Sequence, residues 1–466
     1  MADHVRAGGR SARRRRAVRP RRLIGLLIAV AVVVAGVAAG TTGPGRRMLK
    51  QLLLRGAGAT LSVVGHQKQI NKSGYTASVP FTMLVMGTES TLGYNGANLT
   101  DSMMVVSYDP KADQVSLLSV PRDLWIDIPG QGYQRINTAY ENGGAQAAAL
   151  TVEQYIGVPV EYWAVVNYSS FTTLVNDLSC NGQPGVQVDV PYAINDPNYP
   201  NATETASTLF QLPAGLQCLN GTTALKFIRE RHSFSLGDVQ RAADQQVMLL
   251  ALKKALLQPS VLPKLGTIVP DIFKLVDTNF PYAKVPTLAD QVVKLPPSAI
   301  THAVLGYSQA YCQANGINEP TACNGAVSNY TTSGGADVLL PNKAAIQAVV
   351  RQNFAAVLGH MRDTPIQVYN GTNRQGLASY YSTVLQGMGA TTETPANAPS
   401  SPSGYPNNEV FVNSHVRSSV PATADILGAM LNAKVATASF PQTQAGVVVI
   451  LGNSFPPIGN QAGSGS

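Results

Sequence analysis

Residues 23–40, LIGLLIAVAVVVAGVAAG, run for eighteen positions without a charged side chain. At a rise of about 1.5 Å per residue a helix of this length covers roughly 27 Å, about the thickness of a bilayer's hydrocarbon core. The run predicts one membrane-spanning helix. A cleaved signal peptide is the competing reading, since VAAG offers small residues of the kind a signal peptidase accepts. The apolar run is longer than the usual h-region of about 7–15 residues, which favours a retained anchor.

Charge orients that anchor. Residues 1–22 hold nine arginines (Arg6, Arg10, Arg13, Arg14, Arg15, Arg16, Arg19, Arg21 and Arg22) against Asp3, whereas Arg46, Arg47 and Lys50 follow the apolar run. The excess of positive charge keeps the amino terminus in the cytoplasm and sends everything after residue 41 outside. The expected localisation is the cell membrane, single-pass, with an extracytoplasmic body. Of 34 basic and 26 acidic residues, the part beyond 22 keeps 25 of each sign, so the body carries no net charge. That argues against nonspecific polyanion binding and leaves nucleic acid out of the expected partners.

The four cysteines agree with an oxidising compartment. Cys180 and Cys218 flank an irregular Asn-, Pro- and Thr-rich stretch, and Cys312 and Cys323 bracket QANGINEPTA. Of three possible pairings, Cys180 with Cys218 and Cys312 with Cys323 is the simplest. A zinc site is the rival, but the spacings contain no CxxC pair.

Beyond a partly helical stalk at 41–75, β-branched runs alternate with helical patterns. Strands are expected at 81–87, 103–109, 114–120, 161–168 and 186–190, and helices at about 143–156, 169–178, 220–230 and 238–257. The fold class is α/β, a layered sandwich with a central mixed β-sheet flanked by helices, over 76–358. A second small α/β domain is expected over 363–457. Its strands are read at 366–372, 409–414 and 446–452 and its helices at 376–389 and 422–432, with a disordered Pro/Ser/Asn loop at 393–408 and a flexible tail at 458–466.

The chemistry gathers at element ends. In TDSMMVVSYDPKADQVSLLSVPRDLWIDIPG, residues 100–130, two strand patterns are joined by the turn DPKAD. An antiparallel hairpin then brings Asp101, at the start of one strand, near Arg122 and Asp123, just past the end of the other. A lone Asp before a strand is ordinarily a turn residue, and an Arg–Asp neighbour pair is ordinarily a surface ion pair. Coincidence of several such groups at the ends of a rigid sheet favours a site. Arg135 and Asn137 add a polar cluster at a loop-to-helix entry, and Arg229, Arg231, Asp238 and Arg241 crowd around a second helix start.

The ordered series VMGTES, TDSMMVVSYDP, SLLSVPRDLWIDIPG, QRINTAY, LNGTTALKFIRERHS and GDVQRAADQQ resembles the extracytoplasmic domain of the LytR-CpsA-Psr family. IQVYNGTNRQGLASYYSTVLQGMGA resembles the small LytR-type domain often appended to it. The resemblance covers about residues 76–455. It implies a membrane-anchored phosphotransferase that moves a glycopolymer from a polyprenyl-pyrophosphate carrier to peptidoglycan through a phosphodiester.

It also implies roles. Arg122, Arg229, Arg231 and Arg241 form a phosphate clamp, since a planar guanidinium holds two anionic oxygens at once. Arg135, Asn137 and Gln245 belong to the same substrate-binding shell. Asp101, with Glu89, matches the position that holds Mg²⁺, and Asp238 holds Arg241 in place; for Asp101 and Asp123, assistance in proton removal, metal coordination and arginine orientation stay open. Three departures stand out. Glu89 replaces Asp in the first glycine-containing motif, Leu99 stands where an Arg precedes TD, and Asp244 replaces the second Arg of DxxRxxRQ. They remove up to two cations from the expected site. Two other classes remain open: an envelope-linked transcriptional regulator, for which the 22-residue cytoplasmic tail has no room for a helix-turn-helix, and a polyprenyl-pyrophosphate-binding protein or pyrophosphatase without transfer activity.

Overall fold

The computed structural model describes residues 80–88, 99–200, 207–230, 238–256, 276–281, 295–315 and 320–458, together with Gln258 and Leu288. The predicted arginine tail, apolar span and stalk, the tail beyond 458, Glu89 and Arg231 lie outside the described residues, and of Asp238 only the backbone is described. Among the described residues no helix is long and apolar enough to cross a membrane.

Strand β1 (Phe81–Thr88) is buried at six of its eight positions. Its period-2 alternation feeds two cores, with Phe81 and Met83 on one face and Leu84 and Met86 on the other. A strand apolar on both faces belongs inside a covered sheet.

The elements that follow are β2 (Thr100–Asp109), β3 (Gln114–Ser119), β4 (Trp125–Ile128), β5 (Gly132–Arg135), α1 (Thr138–Ile156), β6 (Tyr162–Asn167) and α2 (Tyr168–Asp177). Next come β7 (Ser179–Cys180), β8 (Gln183–Pro184), β9 (Val186–Val190), β10 (Ile194–Pro200), β11 (Ser207–Leu212), β12 (Gly215–Leu219), α3 (Gly221–Arg229) and α4 (Asp238–Leu256). Completing this part are β13 (Asp277–Thr278), β14 (Ile300–Val304), α5 (Gln309–Ala314), β15 (Val327–Thr331), β16 (Asp337–Pro341), α6 (Lys343–Asn353) and α7 (Ala355–His360).

The main sheet has the order β13-β6-β1-β2-β3-β14. β1–β2 and β2–β3 pair antiparallel while β1–β6 and β3–β14 pair parallel, so the sheet is mixed, as expected. The β2–β3 turn is fixed by Asp109, whose Oδ1 accepts from the amides of Lys111 and Ala112 at 2.9 and 3.2 Å. A separate core joins α2, α3 and α4 to the ribbons β9–β12 and β10–β11. Both disulfides have the simplest pairing, Cys180–Cys218 and Cys312–Cys323.

The carboxy-terminal unit contains β17 (Ile366–Asn370), α8 (Leu377–Gly387), β18 (Ala396–Asn397), β19 (Glu409–Asn413), α9 (Ala422–Met430), β20 (Val435–Ala438) and β21 (Val447–Leu451), in the sheet order β18-β17-β21-β19-β20. The stretch 393–408 differs from the expected disordered loop. Ala396 and Asn397 pair with Tyr369 and Asn370, and the Tyr405 hydroxyl donates to the Pro399 carbonyl at 2.9 Å.

The two units do not keep separate interiors. Val152 and Ile156 of α1 share one buried cluster with Leu377, Tyr381 and Val384 of α8. The Tyr380 hydroxyl donates to Gln154 Oε1 at 2.6 Å. Gly157 ends α1 at φ +77°, and a Cβ there would stand 3.1 Å from the Gly387 carbonyl oxygen. Glycine serves both the left-handed turn and the close approach.

Candidate active site

The hairpin geometry decides where the site forms. Met104 of β2 lies opposite Ser119 of β3, and continuing that antiparallel register outward sets Asp101 against Arg122. Arg122 Nη1 donates to Asp101 Oδ1 at 2.5 Å. Thr100 is anchored beside it, its amide and hydroxyl both donating to the Asn137 carbonyl at 3.3 Å.

The other oxygen of Asp101 is taken by a residue that follows β6, the strand paired parallel with β1. Tyr168 follows β6 directly and opens α2, which is capped by Asn167 Oδ1 accepting from the Ser170 amide. Its hydroxyl donates to Asp101 Oδ2 at 2.5 Å, and the Arg229 guanidinium lies over its ring at 4.6 Å. Such a distance marks a charge-assisted hydrogen bond, and the stacked guanidinium adds a cation–π contact.

Helix α4 closes the site from the side. Ser102 donates to Gln245 Oε1 at 2.7 Å, and Gln245 Nε2 donates to the Ile228 carbonyl at 3.3 Å, tying β2 to the end of α3. Arg241, one turn earlier on α4, is buried, and its charge acts on Asp101. Burial pushes the Asp101 carboxyl up. Arg122, the Tyr168 hydrogen bond and Arg241 together outweigh it and hold Asp101 below the usual carboxylate range.

Asp123 and Arg135 extend the network away from Asp101. Asp123 Oδ1 pairs with Arg135 Nε at 2.9 Å, and Asp123 Oδ2 lies 3.6 Å from Arg122 Nε. Arg135 also donates through Nη2 to the Asp337 carbonyl at 2.9 Å. Arg135 thereby braces Asp123 from the side. Asn137 is buried and contributes its backbone carbonyl at Thr100, while its side-chain oxygen has no hydrogen-bond partner among the described residues. Asp244 is fully buried and accepts from the Tyr192 hydroxyl and from Gln240, so the departure from the arginine pattern is matched by a local tyrosine.

Arg122, Asp123, Asp101, Arg229, Arg241 and Gln245 are thus brought together. Sequence reasoning missed Tyr168. The available signal was its position: it stands at the carboxyl end of a parallel strand and the first turn of a helix, where α/β sheets present functional groups.

Hard-cation chemistry fits Asp101. An ionised carboxylate offers about four lone-pair sites, and Arg122 and Tyr168 use two. Mg²⁺ is commonly held by one or two carboxylates, with waters and substrate phosphate oxygens completing the shell. Among the described residues no group of three or more His, Cys, Asp or Glu side chains forms an all-protein metal cage.

Two family models match the chain: the LytR_cpsA_psr family over residues 56–324, and LytR cell envelope-related transcriptional attenuator over 363–455. The regulatory protein MsrR of Staphylococcus aureus (strain COL) is 32% identical over 201 residues, covering 43% of this chain and 56% of MsrR. The polyisoprenyl-teichoic acid–peptidoglycan teichoic acid transferase TagU of Bacillus licheniformis is 30% identical over 229 residues, covering 47% of this chain and 68% of TagU. The crystal structure of B. subtilis TagV is similar with a TM-score of 0.47 and 23% identity, covering 60% of this chain and 98% of that one. The chain spans little more than half the length of MsrR. With one family model matching residues 56–324 of 466, the chain belongs to the LytR-CpsA-Psr family.

Proposed function

We propose that this protein is a phosphotransferase of the cell envelope. It moves a glycopolymer, with its linking phosphate, from a polyprenyl-pyrophosphate carrier to a hydroxyl of peptidoglycan. The observation that carries the reading is the chain Arg122–Asp101–Tyr168–Arg229, with Arg241 buried beside it. The resemblance to TagU, a transferase by name, supports it.

In the reaction the acceptor oxygen bonds to the phosphorus that carries the glycopolymer, the P–O–P anhydride bond breaks, and polyprenyl monophosphate leaves. The acceptor hydroxyl's proton passes to the departing phosphate or to solvent as the new bond forms. Arg229 and Arg241, with Arg122 and Arg231, hold the diphosphate oxygens and neutralise charge building on the leaving phosphate. Tyr168 fixes both Asp101 and the plane on which Arg229 rests. A carboxylate held below its usual pKa is a weak base, so Asp101 acts by charge and orientation. Asp101 and Glu89 would hold Mg²⁺, which when bound supplies positive charge to the phosphate oxygens. The body works outside the membrane, anchored by residues 23–40, within reach of both lipid carrier and wall.

The direct assay incubates the full chain in detergent with a labelled polyprenyl-pyrophosphate-linked glycopolymer and purified peptidoglycan. Label becomes covalently fixed to peptidoglycan while polyprenyl monophosphate is released. Release without fixation would instead establish a pyrophosphatase.

A further inference from the structure

Two clefts, of about 550 and 570 Å³, meet at the loop between β17 and α8 and share Asn373 and Arg374. Each falls within the range of about 300–1,000 Å³ that small-ligand sites occupy. One lies between Gly143 and Gln146 of α1 and the segment 453–457. The other lies among the loops that follow β17 and β18. These two strands run parallel, so both loops leave from the same edge, where open α/β sheets receive ligands.

The lining chemistry narrows the ligand. The second cleft presents Thr372, Asn373, Gln375, Asn397, Ser400 and Ser401, all uncharged donors and acceptors. Among the described residues, Arg374 is the one charged residue lining either cleft. Its guanidinium donates to the Pro456 and Gly452 carbonyls at 2.8 and 3.2 Å, so it holds the loop together. Each cleft also contains one aromatic ring, Phe455 or Tyr405. Tyr405 lies across Gly371, where a Cβ would stand 2.7 Å from the ring, so glycine is what admits it. Amides and hydroxyls beside an aromatic ring, without a free cation, match a sugar that carries hydroxyl and acetamido groups.

We propose that the double cleft binds an uncharged, N-acetylated glycan strand. Helix α1 links it to the active site: Gly143 and Gln146 stand six and nine residues beyond Asn137. The helix is kinked between these two residues at Gly144, whose φ of +67° and ψ of −167° are not helical. A strand seated in the cleft presents its next sugars to Asp101 and Arg122 as acceptor. This purpose rests on the transferase reading; the binding does not.

The test uses the full chain in detergent and chitohexaose, a β-1,4-linked N-acetylglucosamine oligomer, titrated by calorimetry. Chitohexaose binds, cellohexaose, lacking the acetamido groups, binds at least about tenfold more weakly, and polyglutamate does not compete. The double variant Asn373→Ala, Gln375→Ala and the plug Ser400→Trp each weaken chitohexaose about tenfold or more, as expected for loss of one or two neutral hydrogen bonds or of space, with unchanged melting temperature. Absence of chitohexaose binding, equal binding of cellohexaose, competition by polyglutamate, or wild-type affinity in both variants overturns the proposal. A chain that binds chitohexaose but transfers nothing refutes the transferase reading alone.

Discussion

Tyr168 donates its hydroxyl hydrogen to Asp101 at 2.5 Å, from a strand end 67 residues away in the chain, while Arg229 rests on the same ring. One side chain therefore joins Arg122 in holding the carboxylate ionised and also positions a clamp arginine. Tyr168→Phe keeps the ring and removes the hydrogen bond. A hydrogen bond to a charged group is worth about 1.5–3 kcal/mol, so transfer slows roughly 10- to 100-fold. Asp101 moves back toward the ordinary carboxylate range, and the acid limb of the pH–rate profile shifts to higher pH. A uniform loss of rate at every pH, with no shift of that limb, contradicts this role.

Glu161 makes the fold pH-sensitive away from the site. It is fully buried, accepts from the Thr82 amide at 2.7 Å and from its hydroxyl at 2.5 Å, and burial pushes its pKa up to about 8. The folded state then binds the proton more tightly than the unfolded chain, whose value is near 4.5. Its contribution to stability is full below about pH 4.5 and is lost as pH rises through about 8. Glu161→Gln keeps an acceptor oxygen for Thr82 and flattens this part of the melting-temperature profile, while buried Glu153, also raised well above its usual value, retains part of the slope. An unchanged profile in Glu161→Gln counts against the assignment.

The shared interior of the two units makes a second stability prediction. Tyr381 is fully buried and packs edge-to-face on Phe455, with centroids 5.3 Å apart. Truncating a buried aromatic costs about 3–5 kcal/mol. Because α1 and α8 share a cluster, Tyr381→Ala lowers the melting of the whole body in one transition. Calorimetry that resolves an unchanged first unit beside a destabilised second one would refute a common core.

Much of this was legible along the chain. Alternating valines marked Val186–Val190 to the residue, and the hairpin turn DPKAD predicted that Asp101 and Arg122 would meet. Pairing across a turn is a local property, set by strand period and turn chemistry. What escaped depends on distant partners. Tyr168 reads as the last residue of the strand at 161–168, Arg135 as a member of the substrate-binding shell although Asp337 lies 202 positions away, and Asp244 as a lost cation because nothing near it in sequence announces Tyr192. The division into 76–358 and 363–457 rests on the order of strand and helix patterns, which carries no information about whether Tyr380 reaches Gln154.

Arg229 and Arg241 separate phosphate chemistry from structural support most directly. The family resemblance places both in one phosphate clamp, but Arg241 is only 6% exposed whereas Arg229 is half-buried over Tyr168. Single-turnover transfer and melting temperature are measured on the same samples of Arg229→Ala and Arg241→Ala. Removing one charge-assisted donor aimed at transition-state charge costs roughly 3–4 kcal/mol, or about 100- to 1000-fold in rate. The expected result is that loss in both variants, with melting nearly unchanged for Arg229→Ala and clearly lowered for Arg241→Ala. Wild-type turnover by the folded fraction of both variants would contradict the phosphotransferase assignment.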